Sequence, residues 1–206
     1  MDTDPWINWR DRPGSVPSQN QSPTIESTAR EEIAMSEPTA TIKPGWTGRC
    51  FEDFEISDIY QHQLGRTITE TDNIWFTNLT LNTNQLHFNN HYSEGGIYKR
   101  ALVNSTFTVA LVTGMSVSDL TQNAMANLAW DQIRLPNPVF VGDTLYAESL
   151  VTDKRESSSR PNSGIVSVKT RGLNQNAMVV CTFTRTFLVA KRGHTPDRFP
   201  QTDAPW

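Results

Sequence analysis

Only two cysteines, Cys50 and Cys181, occur in the 206 residues. They are too few and too far apart for a disulfide framework, so the expected state is two reduced thiols in an intracellular protein. Long apolar runs are also missing: none approaches the ~20 residues a membrane-spanning helix needs. Lys and Arg number 18 against 22 Asp and Glu, and the basic residues are scattered. Neither nucleic acid nor an anionic membrane is therefore expected as a partner. His87 and His91 have H-x-x-x-H spacing, but no Glu follows the first and no third ligand is evident, so no metal is expected. Gly95-Gly96 lacks the Lys and hydroxyl residue of a phosphate loop and reads as a hinge. The start, "MDTDPWINWRDRPGS", carries acids and no apolar core. It reads as neither secretory signal nor transit peptide, and a cytoplasmic location is expected.

The apolar residues that are present crowd between residues 50 and 190. Residues 1–45 are rich in Pro, Ser, Thr, Gln and Glu without apolar periodicity, and are expected to form a disordered arm in which Trp6 and Trp9 are the exception. Residues 46–192 read as one domain, followed by a Pro-rich tail over 193–206. Residues 60–69 predict a short strand. Residues 69–81 predict a helix, with Thr69 as N-cap and Asp72 three residues on. Residues 102–120 are apolar on nearly every helical face, which predicts a buried helix, with Asn104 and Ser105 at its start, where side-chain oxygens cap free amides. The period then switches to two over 127–135, 144–156, 164–174 and 178–192, with turns at "PNPVFVGD" and "RPNSG". One buried helix plus several long antiparallel strands predicts an α+β class, a single hot-dog fold in which a curved sheet wraps a central helix.

The stretch "LNTNQLHFNN" (81–90) sets one histidine among Asn82, Asn84, Gln85, Asn89 and Asn90. Taken alone, His87 has two readings: a proton carrier near neutral pH, or a turn histidine satisfied by neighbouring amides. Asn104-Ser105 is equally double, a plain helix cap or a set of amides free for a ligand. Asp72, Glu94 and Asp131 stand as single acids and read as surface residues.

Three blocks, "NTNQLHFN" (82–89), "RALVNS" (100–105) and "LPNPVFVGDTLYAE" (135–148), resemble the MaoC-like hydratases, which include the (R)-specific enoyl-CoA hydratases. Their motif D-x-N-P-x-H is followed, roughly eighteen residues on, by His-Gly opening the central helix, and then by P-V-F-x-G-D. Here Ser105 follows His87 by eighteen residues, and the likeness spans about residues 45–190. "NTNQLHFN", "LVNSTFTVALVTG" and "VKTRGLNQN" are most similar to the branch of mesaconyl-CoA (2-methylfumaryl-CoA) hydratases. The departures are Asn82 in place of the family's aspartate, Gln85 for its proline and Asn104-Ser105 for His-Gly. His87 and Asn84 keep their family identity.

The resemblance implies a hydro-lyase that adds water reversibly to a short 2-enoyl-CoA, with mesaconyl-CoA giving β-methylmalyl-CoA. His87 would be the base and Asn82 the second catalytic position, orienting water through its carboxamide. An aspartate there would face the substrate's own carboxylate, which at ~4 Å costs on the order of 4 kcal/mol at an effective dielectric near 20. The Ser105 amide, beside the Asn104 cap, would hold the thioester oxygen. Asn84 and Arg100 would contact substrate, with Arg134 a further cation near the site. No cofactor is implied. The expected partners are the acyl-CoA and a second copy of the chain, since a lone hot-dog leaves a bare sheet edge and an incomplete cleft. A less selective (R)-specific enoyl-CoA hydratase and a non-catalytic acyl-CoA-binding module share these motifs. A thioesterase would need a carboxylate by the carbonyl, for which 82–105 offers only Glu94.

Overall fold

Thr69 opens the first helix by a reciprocal cap. In the computed structural model, which describes residues 41–197, 199, 200 and 202, its hydroxyl accepts the Asp72 N–H while Asp72 accepts the Thr69 N–H. That box satisfies two helix-end donors and starts α1, Glu70–Leu79. Asp72, expected as a lone acid, also pairs with Arg66 at 2.5 Å. The helix leaves through Leu81 at φ 56, where the Leu81 and Asn82 N–H groups return to the Asn78 and Thr77 carbonyls. This left-handed exit turns the chain directly into the Asn-rich segment. The arm expected over residues 1–45 falls mostly outside the described residues, whose folded unit begins at Lys43.

The strand predicted over 60–69 is two short pieces, β1 (Ile59–Gln61) and β2 (Arg66–Thr67), both lying along β4 (Thr144–Glu156). The break contains Gly65, which sits flat against the Tyr146 ring, where any Cβ would lie 2.3 Å from a ring carbon. After α1 come a short helix α2, Asn90–Glu94, and the central helix α3, Ser105–Met115, extended by a π-helical turn over Val117–Thr121. The helix predicted from 102 starts later because Leu102 and Val103 are held extended. Leu102 bridges Phe140, and the Val103 N–H donates to the Val139 carbonyl at 2.9 Å.

The period-two segments are β3 (Ala124–Arg134), β4, β5 (Ser163–Leu173) and β6 (Val179–Ala190), all antiparallel, in the order β1-β4-β5-β6-β3. Their inner face packs Leu145, Ala147, Val180 and Phe183 on Phe107, Val112 and Met115 of α3. Gly172 of β5 lets α3 approach closely, since a Cβ there would meet Val112 at 2.6 Å. The sheet thus curves around one helix, as the α+β hot-dog expectation requires. Burial of α3 is one-sided, however. Phe107, Thr108, Val112 and Met115 are covered, whereas Thr106, Ala110 and Gly114 are open. One sheet covers one face of the helix and leaves the other side open. β3 bounds that open side. Its Met125, Leu128, Trp130 and Ile133 are between 42% and 54% exposed, and its outer edge has no strand beside it among the described residues. Among those residues no helix is long and apolar enough to cross a membrane.

Beneath the far end of α3 lies a polar network that the sequence pattern did not announce. His62 Nδ1 is 2.9 Å from an Asp119 carboxylate oxygen, His62 Nε2 is 3.0 Å from Ser149 Oγ, and Ser149 is 2.8 Å from Thr170. A carboxylate only accepts, so Nδ1 carries the proton and Nε2 accepts from Ser149. The order is that of a hydrolase triad, but Ser149 is 1% exposed and the His62 side chain is sealed, so the chain of bonds is a structural clamp. Arg185, also buried, donates to Ser116 Oγ at 2.8 Å, while its Nε has no partner among the described residues. Burial pushes its guanidinium down to about 10.

Burial holds the His62 pKa below the ordinary histidine value. Asp119 offsets this in part, while Arg185 and Arg49 add to it. The unfolded chain therefore takes up this proton more readily than the native one. The associated stability is intact above the unfolded value of ~6.5 and is lost as pH falls through it toward the lowered native value. The urea midpoint is expected to drop between pH 7.5 and 5.5 at constant m. An unchanged midpoint over that range would contradict the account.

Candidate active site

His87 ends a short 3₁₀ turn, Gln85–His87. The carboxamides before it are engaged in building that turn. Asn82 Oδ1 accepts the Asn84 N–H at 3.0 Å, and Asn84 Oδ1 accepts the Leu86 N–H at 3.1 Å. His87 itself is buried, with Nδ1 2.9 Å from the Leu102 carbonyl. Because a carbonyl can only accept, Nδ1 carries a proton, and the neutral ring then has its lone pair on Nε2, the form a base requires.

Asn73 of α1 joins this turn to the start of α3. Its Nδ2 donates to the His87 carbonyl at 2.7 Å and to the Leu102 carbonyl at 3.1 Å, while its Oδ1 accepts the Asn104 N–H at 2.8 Å. Asn104 caps α3 by accepting the Thr106 N–H at 3.0 Å, and its own Nδ2 donates to Thr77. None of these bonds takes the Ser105 N–H, which stands at the positive end of α3.

Three cavities surround this junction. His87 lines one of about 230 Å³ together with Glu70, Asn73, Asn90, Arg100 and Phe140. The Arg100 guanidinium lies 3.6 Å from the centre of the Phe140 ring, a cation–π contact that flattens it on the wall. Ser105 opens on a second cavity of about 230 Å³ with Leu102, Thr108, Asn137 and Val139. It also opens on an apolar groove of about 640 Å³ between α3 and β3, lined by Val109, Ala110, Trp130, Ile133 and Leu135. The Leu102–Phe140 bridge contributes one residue to each of the first two.

Of the candidates drawn from the sequence, His87 and Arg100 share a cavity. Asn82, Asn84, Asn104 and Ser105 do not line it: the first two build the turn, Asn104 is a buried cap and Ser105 faces the neighbouring spaces. Arg134 is exposed and donates to the adjacent Ile133 carbonyl. Glu70 and Asn73 were missed. With Thr77 they recur at three and four residues along α1, so a polar stripe on a helix was the available signal. Among the described residues no cluster of His, Cys, Asp or Glu is able to hold a metal.

The profile of the family described as mesaconyl-CoA hydratase matches residues 37–199. This chain belongs to that family. A mesaconyl-CoA hydratase of Cereibacter sphaeroides is 35% identical over 145 residues, which is 70% of this chain and 42% of the relative. The crystal structure of a MaoC domain protein dehydratase, so described provisionally, from Chloroflexus aurantiacus superposes with a TM-score of 0.70 at 32% identity, covering 80% of this chain and 46% of that one. A Mycobacterium tuberculosis protein described as a double hotdog fold superposes with a TM-score of 0.66 at 21% identity, over 75% of this chain and 47% of its own, a likeness of fold alone. The chain thus spans less than half the length of these family relatives and of the double hot-dog.

Proposed function

We propose that this chain carries a hydratase site that adds water reversibly to mesaconyl-CoA, or a similar short dicarboxylyl-CoA, with β-methylmalyl-CoA as product. The observation that carries the reading is the buried His87 imidazole, whose Nδ1 proton is committed to the Leu102 carbonyl so that Nε2 is left as the base. Water gives a proton to Nε2 as its oxygen bonds the β-carbon, and the displaced electron pair moves to the thioester oxygen. The Ser105 N–H and the α3 dipole hold that charge. The imidazolium then returns the proton to the α-carbon. His87 bonds the Leu102 carbonyl and Ser105 is three residues on, so the base and the start of α3 meet at one junction. Asn82 and Asn84 act through the turn that presents His87. Arg100 takes the distal carboxylate. The two free cysteines, Cys50 and Cys181, suit a cytoplasmic location.

The working unit in this reading is a homodimer. The bare β3 edge and the apolar α3–β3 groove call for a second hot-dog, and the longer relatives, of which the matched stretch is less than half, have chain enough for one. A second copy laid on β3 covers Trp130 and Ile133. Light scattering of the native protein distinguishes a dimer from a monomer, and a monomer mass removes the homodimer from the reading.

The test of function is loss of enoyl-thioester absorbance against mesaconyl-CoA, fumaryl-CoA and crotonyl-CoA. Turnover on mesaconyl-CoA at least ~10-fold above crotonyl-CoA in kcat/KM is expected, the discrimination a paired carboxylate supplies. Faster turnover of crotonyl-CoA identifies a general (R)-specific hydratase instead. No turnover on any ester overturns the reading.

A further inference from the structure

We infer that Glu70 is a second catalytic group of the His87 cavity, its carboxylate holding the water that His87 deprotonates. The inference rests on the hydratase reading above and adds a residue to it. Three ionisable side chains line this cavity: Glu70, His87 and Arg100. Glu70 is the first residue of α1, one turn before Asn73, so residues 70, 73 and 74 put one helix face on the cavity wall. Asn73 in turn bonds the His87 carbonyl, which fixes that wall relative to the imidazole. Asn90, on the same cavity, donates its Nδ2 to Glu70 Oε1 at 3.1 Å. This anchors one carboxylate oxygen and leaves the other for a ligand.

A water placed for attack has two O–H bonds to direct. Nε2 of His87 takes one. Among the side chains on this wall, Arg100 only donates, and both ends of the Asn73 amide are already engaged. Glu70 is the one anionic acceptor in the cavity, whose volume of about 230 Å³ admits a short acyl end and a water of roughly 30 Å³. The step balances without any further reagent. One water proton passes to Nε2 as the oxygen–β-carbon bond forms, and the π pair moves onto the thioester oxygen. The imidazolium then delivers that proton to the α-carbon. The second water proton stays on the new hydroxyl, hydrogen-bonded to Glu70, which begins and ends the cycle ionised. Arg100 lines the same cavity and offsets the repulsion between Glu70 and the substrate's carboxylate.

The experiment compares kcat and KM of Glu70→Gln and Glu70→Asp with those of the parent chain on mesaconyl-CoA. Glu70 is solvent-exposed at a helix start, so the Gln variant keeps the fold, which equal melting temperatures verify. Glu70→Gln is expected to lower kcat roughly 10- to 100-fold with KM within ~3-fold. Glu70→Asp recovers part of the rate. A parent chain that turns over while Glu70→Gln keeps its kcat overturns the inference and leaves the hydratase reading standing. A loss confined to KM overturns it equally. A parent chain inert on every CoA ester removes the hydratase reading, and this inference falls with it.

Discussion

His87→Asn is expected to lower kcat on mesaconyl-CoA by ~10²–10⁴-fold, the range that a positioned general base contributes. The asparagine matters to the logic. Its side-chain N–H lies about where Nδ1–H lies, so it is able to keep the donation to the Leu102 carbonyl that holds the turn, yet it has no base at the Nε2 position. Melting temperature and CoA-ester affinity should stay near parental values while the chemical step collapses. Histidine→Ala in the same place would mix loss of the base with an orphaned carbonyl and a cavity. If His87→Asn turns over at the parental rate, the imidazole is only a buried strut and another group supplies the base.

Asn73→Ala is expected to cost stability on the order of 3–6 kcal/mol. The side chain is 1% exposed and makes three bonds, to the His87 carbonyl, the Leu102 carbonyl and the Asn104 N–H. Its removal deprives three backbone groups of this partner inside the protein, each worth ~1–3 kcal/mol when left unsatisfied. Because Leu102 keeps the bond from His87, the lower half of the summed range is the better figure. A small domain has only ~5–15 kcal/mol in hand, so the variant should unfold at a much lower urea concentration. Asn73→Asp gives little relief, since it sets an oxygen against two carbonyl oxygens. A loss under ~1 kcal/mol would mean that the turn and the helix start hold each other without this amide.

Long periodic segments were legible in the sequence because one physical rule dominates them. The alternation from Thr144 to Glu156 coincides with β4, and Thr69 with Asp72 announced α1 through capping chemistry. What escaped depended on contacts between distant segments. Leu102 and Val103 have helical company in sequence and are extended only because Phe140 and Val139 pair with them. The openness of one face of α3 depends on how far a single sheet wraps, which residue order does not encode. At the site, His87 was visible through its motif and Arg100 through its place before α3. Asn82 is assigned a role beside the substrate because it stands where the resembled family has its aspartate, whereas its carboxamide oxygen here accepts the Asn84 N–H. Glu70 and Asn73 belong to an element seventeen and fourteen residues away from the histidine, and only the fold brings them to it.

The strand order has a consequence for how the protein is made. Among the described residues β6 is the last strand in chain order, yet it belongs inside the sheet, between β5 and β3. On the ribosome β3 therefore emerges with no neighbour to join, and it waits from Arg134 until Ala190 has followed. At ~5–20 residues per second that interval is on the order of several seconds, during which Met125, Leu128, Trp130 and Ile133 are offered to any passing apolar surface. Interruption of synthesis before Val179 therefore leaves β3 without the strand that pairs with it.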